Sequence, residues 1–130
     1  IIYEVKHFKN ARLFGRLTKL QDNITIDVGH NPLAARSIAK ALQGEKFTLI
    51  YNSYEDKDYE EILKILYPLI THVELIQIDD SRIERESEIQ KVLSTLKIKN
   101  CSFKNIEENQ KYLVFGSFKV VEEFLKVYNE

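Results

Sequence analysis

The sequence predicts an α/β fold, namely a three-layer, Rossmann-like domain with a mostly parallel sheet and helices on both faces. Short β-branched or aromatic runs alternate with helically spaced apolar residues between residues 24 and 128. Strands that alternate with helices form βαβ units, whose strands run parallel and are covered on both faces. The length of 130 residues suits one such domain.

The individual elements follow this alternation. Residues 12–19 are predicted to form a short strand or hairpin arm, and residues 24–28 a buried strand. Asn31 and Pro32 open a helix as its cap and first residue, and Asp56 and Ser117 are the expected caps of two later helices. Further strands are expected at 46–51, 72–78, 99–104 and 111–116. Three further helices are expected, whose apolar faces begin at Tyr59, Ile89 and Val120.

The composition limits the class of protein. With a net charge of -1 and a pI near 6.4, the chain has no basic field that would recruit nucleic acid. A single cysteine allows no internal disulfide, which fits a reducing cytoplasm. No apolar run approaches the roughly 20 residues of a membrane helix, and no signal peptide is visible. Because the chain starts at Ile1 and contains no methionine, we interpret it as a piece of a longer protein.

The richest candidate for a site is the loop at residues 27–32, which follows a predicted strand and begins a helix. Ligands of parallel sheets bind beyond the carboxyl ends of the strands, where helix N-termini favour anions. Asp27 has the chemistry to bind ribose hydroxyls, and His30 to donate to phosphate oxygens, while Gly29 allows close approach to the backbone. The simpler alternative is that Asn31 and Pro32 only begin the helix, and Asp27 and His30 satisfy local backbone groups.

Four other residues are weaker candidates. Arg16 follows a glycine and suits a phosphate, although a surface arginine beside a bulge is the structural alternative. Lys57, Arg82 and Ser117 fall in strand-end loops, where Ser117 also serves as a helix cap. No metal site is predicted, because the three histidines and Cys101 lack ligand spacing.

Four motifs occur in an order that resembles the C-terminal domain of folylpolyglutamate and dihydrofolate synthases, which belong to the Mur ligase superfamily. They are Gly-Arg-Leu at 15–17, Asp-Val-Gly-His-Asn-Pro at 27–32, Asp-Lys-Asp at 56–58 and Val-Phe-Gly-Ser-Phe at 114–118. The resemblance implies a Mur ligase-type C-terminal domain at residues 12–130. Residues 1–11 would be the lead-in from a missing N-terminal ATPase domain.

The resemblance also implies an activity. Such a ligase uses ATP to convert the carboxylate of dihydropteroate or folate into an acyl phosphate, which the amine of L-glutamate attacks to form an amide. The N-terminal domain, the implied partner of this chain, would carry the phosphate-binding loop and the Mg²⁺ site. Because this chain has no such loop, we expect it to be inactive alone. A cytoplasmic location and a place in folate biosynthesis and one-carbon metabolism are implied as well.

Site residues are implied by motif position. Arg16, Asp27, His30 and Asn31 would bind ATP, with His30 beside the reacting phosphates as the catalytic candidate. Lys57, Arg82 and Ser117 would lie in the neighbourhood of the site. The family often has alanine where Gly29 stands, so the glycine predicts a looser loop.

Two other functions remain open. The chain is alternatively a stand-alone nucleotide- or protein-binding α/β module without catalytic activity. It is also compatible with a related Mur-type ligase that acts on a different carboxylate.

Overall fold

Six strands form a single sheet in the order β1-β2-β6-β3-β4-β5. The structure is a computed structural model that describes residues 17–129. The strands are β1 (Thr18–Gln21), β2 (Ile24–Ile26), β3 (Phe47–Tyr51), β4 (Ile70–Leu75), β5 (Asn100–Ser102) and β6 (Tyr112–Val114). The helices are α1 (Pro32–Ala41), α2 (Tyr59–Leu66), α3 (Glu86–Thr95) and α4 (Phe118–Tyr128), and a 3-10 turn, Tyr67–Leu69, follows α2.

The sheet is parallel except at one edge. β1 pairs antiparallel with β2 as a hairpin, and each remaining pair of neighbouring strands is parallel. Every residue of the central strand β3 is buried, as expected for a strand that is covered on both faces. The mostly parallel sheet is therefore confirmed. The hairpin arm predicted at residues 12–19 lies largely outside the described residues, and the observed arm is Thr18–Gln21.

Helices cover both faces of the sheet. The apolar faces of α1, α2 and α3 pack on one face through residues that include Ile38, Leu63 and Leu93. The apolar face of α4 packs on the other face, with Val121 and Phe124 fully buried. The predicted three-layer, Rossmann-like α/β class is confirmed. No helix within residues 17–129 is long and apolar enough to cross a membrane.

Side-chain caps begin three of the helices. Asn31 Oδ1 accepts a hydrogen bond from Ala34 N at 2.8 Å, and Ser117 Oγ accepts one from Val120 N at 3.2 Å, so both predicted caps are confirmed. The predicted cap at Asp56 is wrong. α2 begins at Tyr59, and the residue just before it, Asp58, accepts from Glu61 N at 3.3 Å. A turn at residues 54–57, closed by the bond from Lys57 N to Tyr54 O, delays the start of the helix.

Candidate ligand-binding site at the carboxyl edge of the sheet

A cavity of about 490 Å³ lies at the carboxyl edge of the parallel strands. Loops that follow β2, β3, β4 and β6 supply its walls, which is where ligands of open α/β sheets bind. We call it the carboxyl-edge cavity, and its lining residues are His30, Tyr54, Glu55, Asp56, Lys57, Arg82, Ser117, Phe118 and Lys119. The fold therefore brings together four residues that were predicted from separate parts of the sequence: His30, Lys57, Arg82 and Ser117.

A second cavity of about 410 Å³ lies at the start of α1, and we call it the α1 cavity. Gly29, His30 and Asn31 line it together with Leu33, and 67% of the Leu33 side chain is exposed. His30 lines both cavities and is itself exposed, so its imidazole is accessible to a ligand in either one.

Of the four α-helices within residues 17–129, two have no acidic residue in the first turn. The first turns of α2 and α3 contain the acidic residues Glu60, Glu61, Glu86 and Glu88, which compensate the positive end of each helix dipole. The first turns of α1 and α4 contain none. His30 precedes α1 and Ser117 precedes α4, and both line the carboxyl-edge cavity. This edge therefore favours an anion at α1 and α4 rather than at α2 and α3.

The β3–α2 and β4–α3 loops are fastened to each other. Tyr54 and Ile83 form an antiparallel bridge. On either side of it, Glu55 N donates to Arg82 O and Glu84 N donates to Ser53 O, both at 2.9 Å. Because the backbone of the two loops is joined, Lys57 and Arg82 are held on one wall.

Arg82 is oriented by two neighbours. Its guanidinium donates two hydrogen bonds to the Asp80 carboxylate, Nε–Oδ1 at 3.3 Å and Nη2–Oδ2 at 3.1 Å, and lies 4.7 Å from the centre of the Tyr54 ring. These hydrogen bonds hold the pKa of Asp80 below its ordinary value and raise the pKa of Arg82. The Arg82 side chain is still 70% exposed, so its remaining donors can reach an anionic ligand.

Lys119, in the first turn of α4, is a further cation that the sequence reasoning missed. Its ammonium lies 3.1 Å from Glu122 and 3.4 Å from Glu123, and the hydrogen bond to Glu122 raises its pKa. Tyr54, Glu55 and Phe118 line the cavity as well. Their positions in the sequence could have indicated them, because each lies in a strand-end segment that also contains a predicted site residue.

Asp27 lies beneath the loop rather than on the wall of either cavity. Its side chain is 1% exposed, and its carboxylate accepts from Gly29 N at 2.7 Å and from Leu17 N at 3.2 Å. This carboxylate fixes the path of the chain that leads from β2 to His30. A contact with the ribose of a nucleotide stays a prediction. Arg16 lies outside the described residues.

Gly29 packs tightly, so the expectation of a looser loop is wrong. A Cβ atom at this position would lie 2.5 Å from Ala34 Cβ, 2.9 Å from Asp27 Oδ1 and 3.0 Å from the Phe115 ring. The glycine therefore lets the loop approach the first turn of α1 closely.

We expect Gly29→Ala to destabilise the fold by about 2 kcal/mol, because overpacking displaces the loop from α1. Ala34→Gly removes the nearest clashing atom. The double variant should therefore lose ~1 kcal/mol less unfolding free energy than the sum of the losses in the two single variants. Urea unfolding of the four proteins measures this coupling. Strictly additive effects would contradict the contact between Gly29 and Ala34.

The fold defines this chain as a Rossmann-like α/β domain with a cavity at the carboxyl edge of the sheet. The structure is similar to that of Helicobacter pylori folylpolyglutamate synthetase, with 39% sequence identity and a TM-score of 0.87 over 90% of this chain. The predicted resemblance to the C-terminal domain of folylpolyglutamate synthases is thereby confirmed. The chain spans about a third of the length of that protein, 32%.

More distant structures have the same fold. The bifunctional folylpolyglutamate synthase/dihydrofolate synthase from Yersinia pestis c092, complexed with AMPPNP and Mn ion, is 19% identical with a TM-score of 0.74, and the match covers 89% of this chain and 31% of that one. Folylpolyglutamate synthase from Thermotoga maritima is 23% identical with a TM-score of 0.71, over 88% of this chain and 31% of that one. No protein-family model matches the chain, and no curated protein matches it.

Proposed function

We propose that this chain is the C-terminal domain of an ATP-dependent ligase that adds L-glutamate to dihydropteroate or folate through an acyl phosphate. The observation that carries the proposal is the 39% identity to a folylpolyglutamate synthetase, over 90% of a chain whose cavity collects His30, Lys57, Arg82 and Ser117. We further propose that residues 12–130 form this domain. Catalysis then requires an N-terminal ATPase domain, which residues 1–11 would join to it.

The substrates of related structures support the proposal. A bifunctional folylpolyglutamate synthase/dihydrofolate synthase has been solved with Mn, AMPPNP and L-glutamate bound, and E. coli FolC has been solved with DHPP and ADP. The reaction joins several anions, since ATP, glutamate and the pterin-linked acid all carry phosphate or carboxylate groups. A site with two uncompensated helix N-termini and several cationic side chains suits such substrates.

The geometry suggests a role for each predicted residue. His30 lies at the N-terminus of α1, where it donates a hydrogen bond to a phosphate oxygen as negative charge shifts during transfer. Asn31 holds the first turn of α1 in place, so that free backbone N–H groups point towards the same phosphates. In this proposal Arg16 and Asp27 complete the ATP site. Arg16 contacts a phosphate, and Asp27 contacts the nucleoside.

The opposite wall offers a place for the amino acid. Lys57 and Arg82 are held together by the bridged loops and supply cations for the carboxylates of glutamate. Ser117 lines the same cavity, although its hydroxyl already caps α4. The amine of glutamate would then attack the acyl carbon, release phosphate and form the amide.

No Mg²⁺ site is assigned to the described residues in this proposal. Mg²⁺ prefers oxygen ligands in octahedral geometry. Within residues 17–129 the single cluster of three potential metal ligands contains a histidine and a cysteine, and its residues do not line the carboxyl-edge cavity. We place the Mg²⁺ site in the proposed N-terminal domain, as the resemblance to folylpolyglutamate synthases implies.

A kinetic experiment on the full-length protein tests the proposal. We expect ADP release that depends on both L-glutamate and dihydropteroate or folate. His30→Ala should lower kcat/KM by about 10- to 100-fold, the effect of losing one hydrogen bond to a charged group. The matched control is Lys40→Ala, an exposed position in the last turn of the same helix, which should retain the unmodified rate.

Three results would contradict the proposal. The first is ADP release that does not respond to glutamate, and the second is a His30→Ala protein as active as the Lys40→Ala control. The third is turnover with other carboxylates but with neither pteridine, which would favour a different Mur-type ligase. Retention of activity by residues 1–130 alone would remove the need for an N-terminal domain.

A further inference from the structure

Sheet register brings three potential metal ligands together at the β5 edge of the sheet, on a different surface from the carboxyl-edge cavity. His72 and Glu74 lie two residues apart on β4 and therefore share one face, and Cys101 on β5 pairs directly with Glu74. The imidazole nitrogen, carboxylate oxygen and thiol sulfur all lie within 4.8 Å of one another. We call these three residues the β-edge triad.

The face that carries the triad is not packed into the core formed by α1, α2 and α3. Val73 and Leu75, which alternate with the triad residues on β4, belong to that core. Two cavities flank the triad instead, one of about 280 Å³ lined by His72 and one of about 320 Å³ lined by Glu74 and Cys101. An ion in solution can therefore reach all three ligand atoms, and water can reach the ion.

The side chains are already arranged as ligands. His72 Nε2 lies 2.9 Å from Glu74 Oε2, and its side chain is 29% exposed while that of Glu74 is 12% exposed. On the other side of the ring, Nδ1 lies 3.5 Å from Thr48 Oγ1, whose hydroxyl donates to Gln110 Oε1 at 2.8 Å. In the metal-free protein a proton on Nε2 makes the contact with Glu74, and in the other tautomer Nδ1–H can donate to the Thr48 oxygen, which frees the lone pair on Nε2 for a metal ion. Metal-binding histidines commonly have an outer-shell partner of this kind.

We propose that the β-edge triad binds one Zn²⁺ ion, with water as the fourth ligand. Zinc takes nitrogen, oxygen and sulfur ligands at about 2.0–2.3 Å, so ligand atoms around it lie roughly 3.3–3.6 Å apart. Separations of up to 4.8 Å reach that range after small side-chain rotations, of which Cys101, the exposed member, has the most room to move. Binding releases the thiol proton of Cys101 to solvent. The Nε2 proton of His72 is exchanged through solvent for a proton on Nδ1, beside Thr48, so that the ion takes its place between His72 and Glu74.

The mixed ligand set selects the metal. A thiolate and an imidazole favour zinc over Mg²⁺, whose preferred ligands are carboxylate, carbonyl and water oxygens. Because β5 has only three residues and lies at the edge of the sheet, a zinc ion would also tie this short strand to β4. The proposal does not depend on the ligase function, since no triad residue lines the carboxyl-edge cavity.

Zinc titration of the 130-residue chain against a chromophoric chelator tests this site. We expect one equivalent of Zn²⁺ to bind, an excess of Mg²⁺ to leave it bound, and Zn²⁺ to raise the Tm. Cys101→Ser, His72→Ala and Glu74→Gln should each weaken binding by about 100-fold, the upper end of the loss when an outer-shell partner is removed. Cobalt substitution should give thiolate-to-metal charge-transfer absorption that Cys101→Ser abolishes.

The other histidines supply a matched control. The chain has three histidines, so the double variant His7→Ala/His30→Ala retains only His72 and should bind zinc as the unmodified chain does. Absence of binding at one equivalent would overturn the proposal. Zinc binding that survives Cys101→Ser and Glu74→Gln would overturn it as well. Both substitutions preserve the size of the side chain, and circular dichroism can verify that the variants fold.

Discussion

Replacing Gly116 by alanine should destabilise the protein by about 3–5 kcal/mol, which places it among the most damaging single substitutions. Gly116 has a φ of +144°, a conformation that residues with a Cβ rarely adopt. A Cβ there would also lie 2.4 Å from the backbone oxygen of Asn52 and 3.1 Å from Val120 Cγ2. A backbone atom cannot rotate away, so β3 and β6 must separate at their carboxyl ends. The free energy of unfolding in urea measures the effect.

Gly44 provides the matched control for this prediction. It also has a positive φ, +91°, but a Cβ at Gly44 would meet no atom within 4 Å. Gly44→Ala therefore isolates the conformational strain and should destabilise by ~1 kcal/mol. Equal losses for the two variants would show that the close approach to Asn52 has no energetic weight. In the proposed full-length ligase, Gly116→Ala should also weaken catalysis, because it displaces Ser117 and the start of α4.

Asp27→Ala should cost about 3 kcal/mol, because it leaves the backbone N–H groups of Gly29 and Leu17 without their charged acceptor. The carboxylate is 1% exposed, so water cannot easily replace it. Asp27→Asn keeps one acceptor oxygen and should therefore lose less stability than Asp27→Ala. Urea unfolding measures stability, and amide hydrogen exchange at Gly29 reports whether the loop has opened.

An exposed carboxylate on another strand-end loop serves as the comparison. Asp79 follows β4 and is exposed, so Asp79→Ala should change stability by no more than about 0.5 kcal/mol. If Asp27→Ala were equally mild, the loop would not depend on the buried carboxylate. Asp27 would then be better explained as a ligand contact that has little role in folding.

Local patterns accounted for most of the elements. The helix caps at Asn31 and Ser117 depend on hydrogen bonds that span three residues, so the sequence alone was enough to predict them. The cap of α2 was placed two residues early, at Asp56 instead of Asp58. Either aspartate is chemically suitable, and the choice depends on the turn at 54–57 and on its bridge to Ile83, a contact with a distant loop.

The candidate site was only partly predictable. His30, Lys57, Arg82 and Ser117 were recognised because parallel strands deliver their carboxyl ends to one edge. The tight packing of Gly29 was missed, because its clash partners Ala34 and Phe115 depend on how α1 and β6 meet the loop. For Asp27 the structure agrees with the simpler alternative from the sequence, because its buried carboxylate accepts from the backbone N–H groups of Gly29 and Leu17.

The sequence by itself determined the α/β class, the alternation of strands and helices, and the resemblance to folylpolyglutamate synthases, because periodicity, capping residues and short motifs are local. Only the tertiary structure decided which loops share the carboxyl-edge cavity and which side chains meet across strands. His72 and Cys101 lie 29 positions apart and showed no ligand spacing, yet the register of β4 and β5 brings both beside Glu74. Strand register depends on how every neighbouring element packs, and no local pattern contains that information.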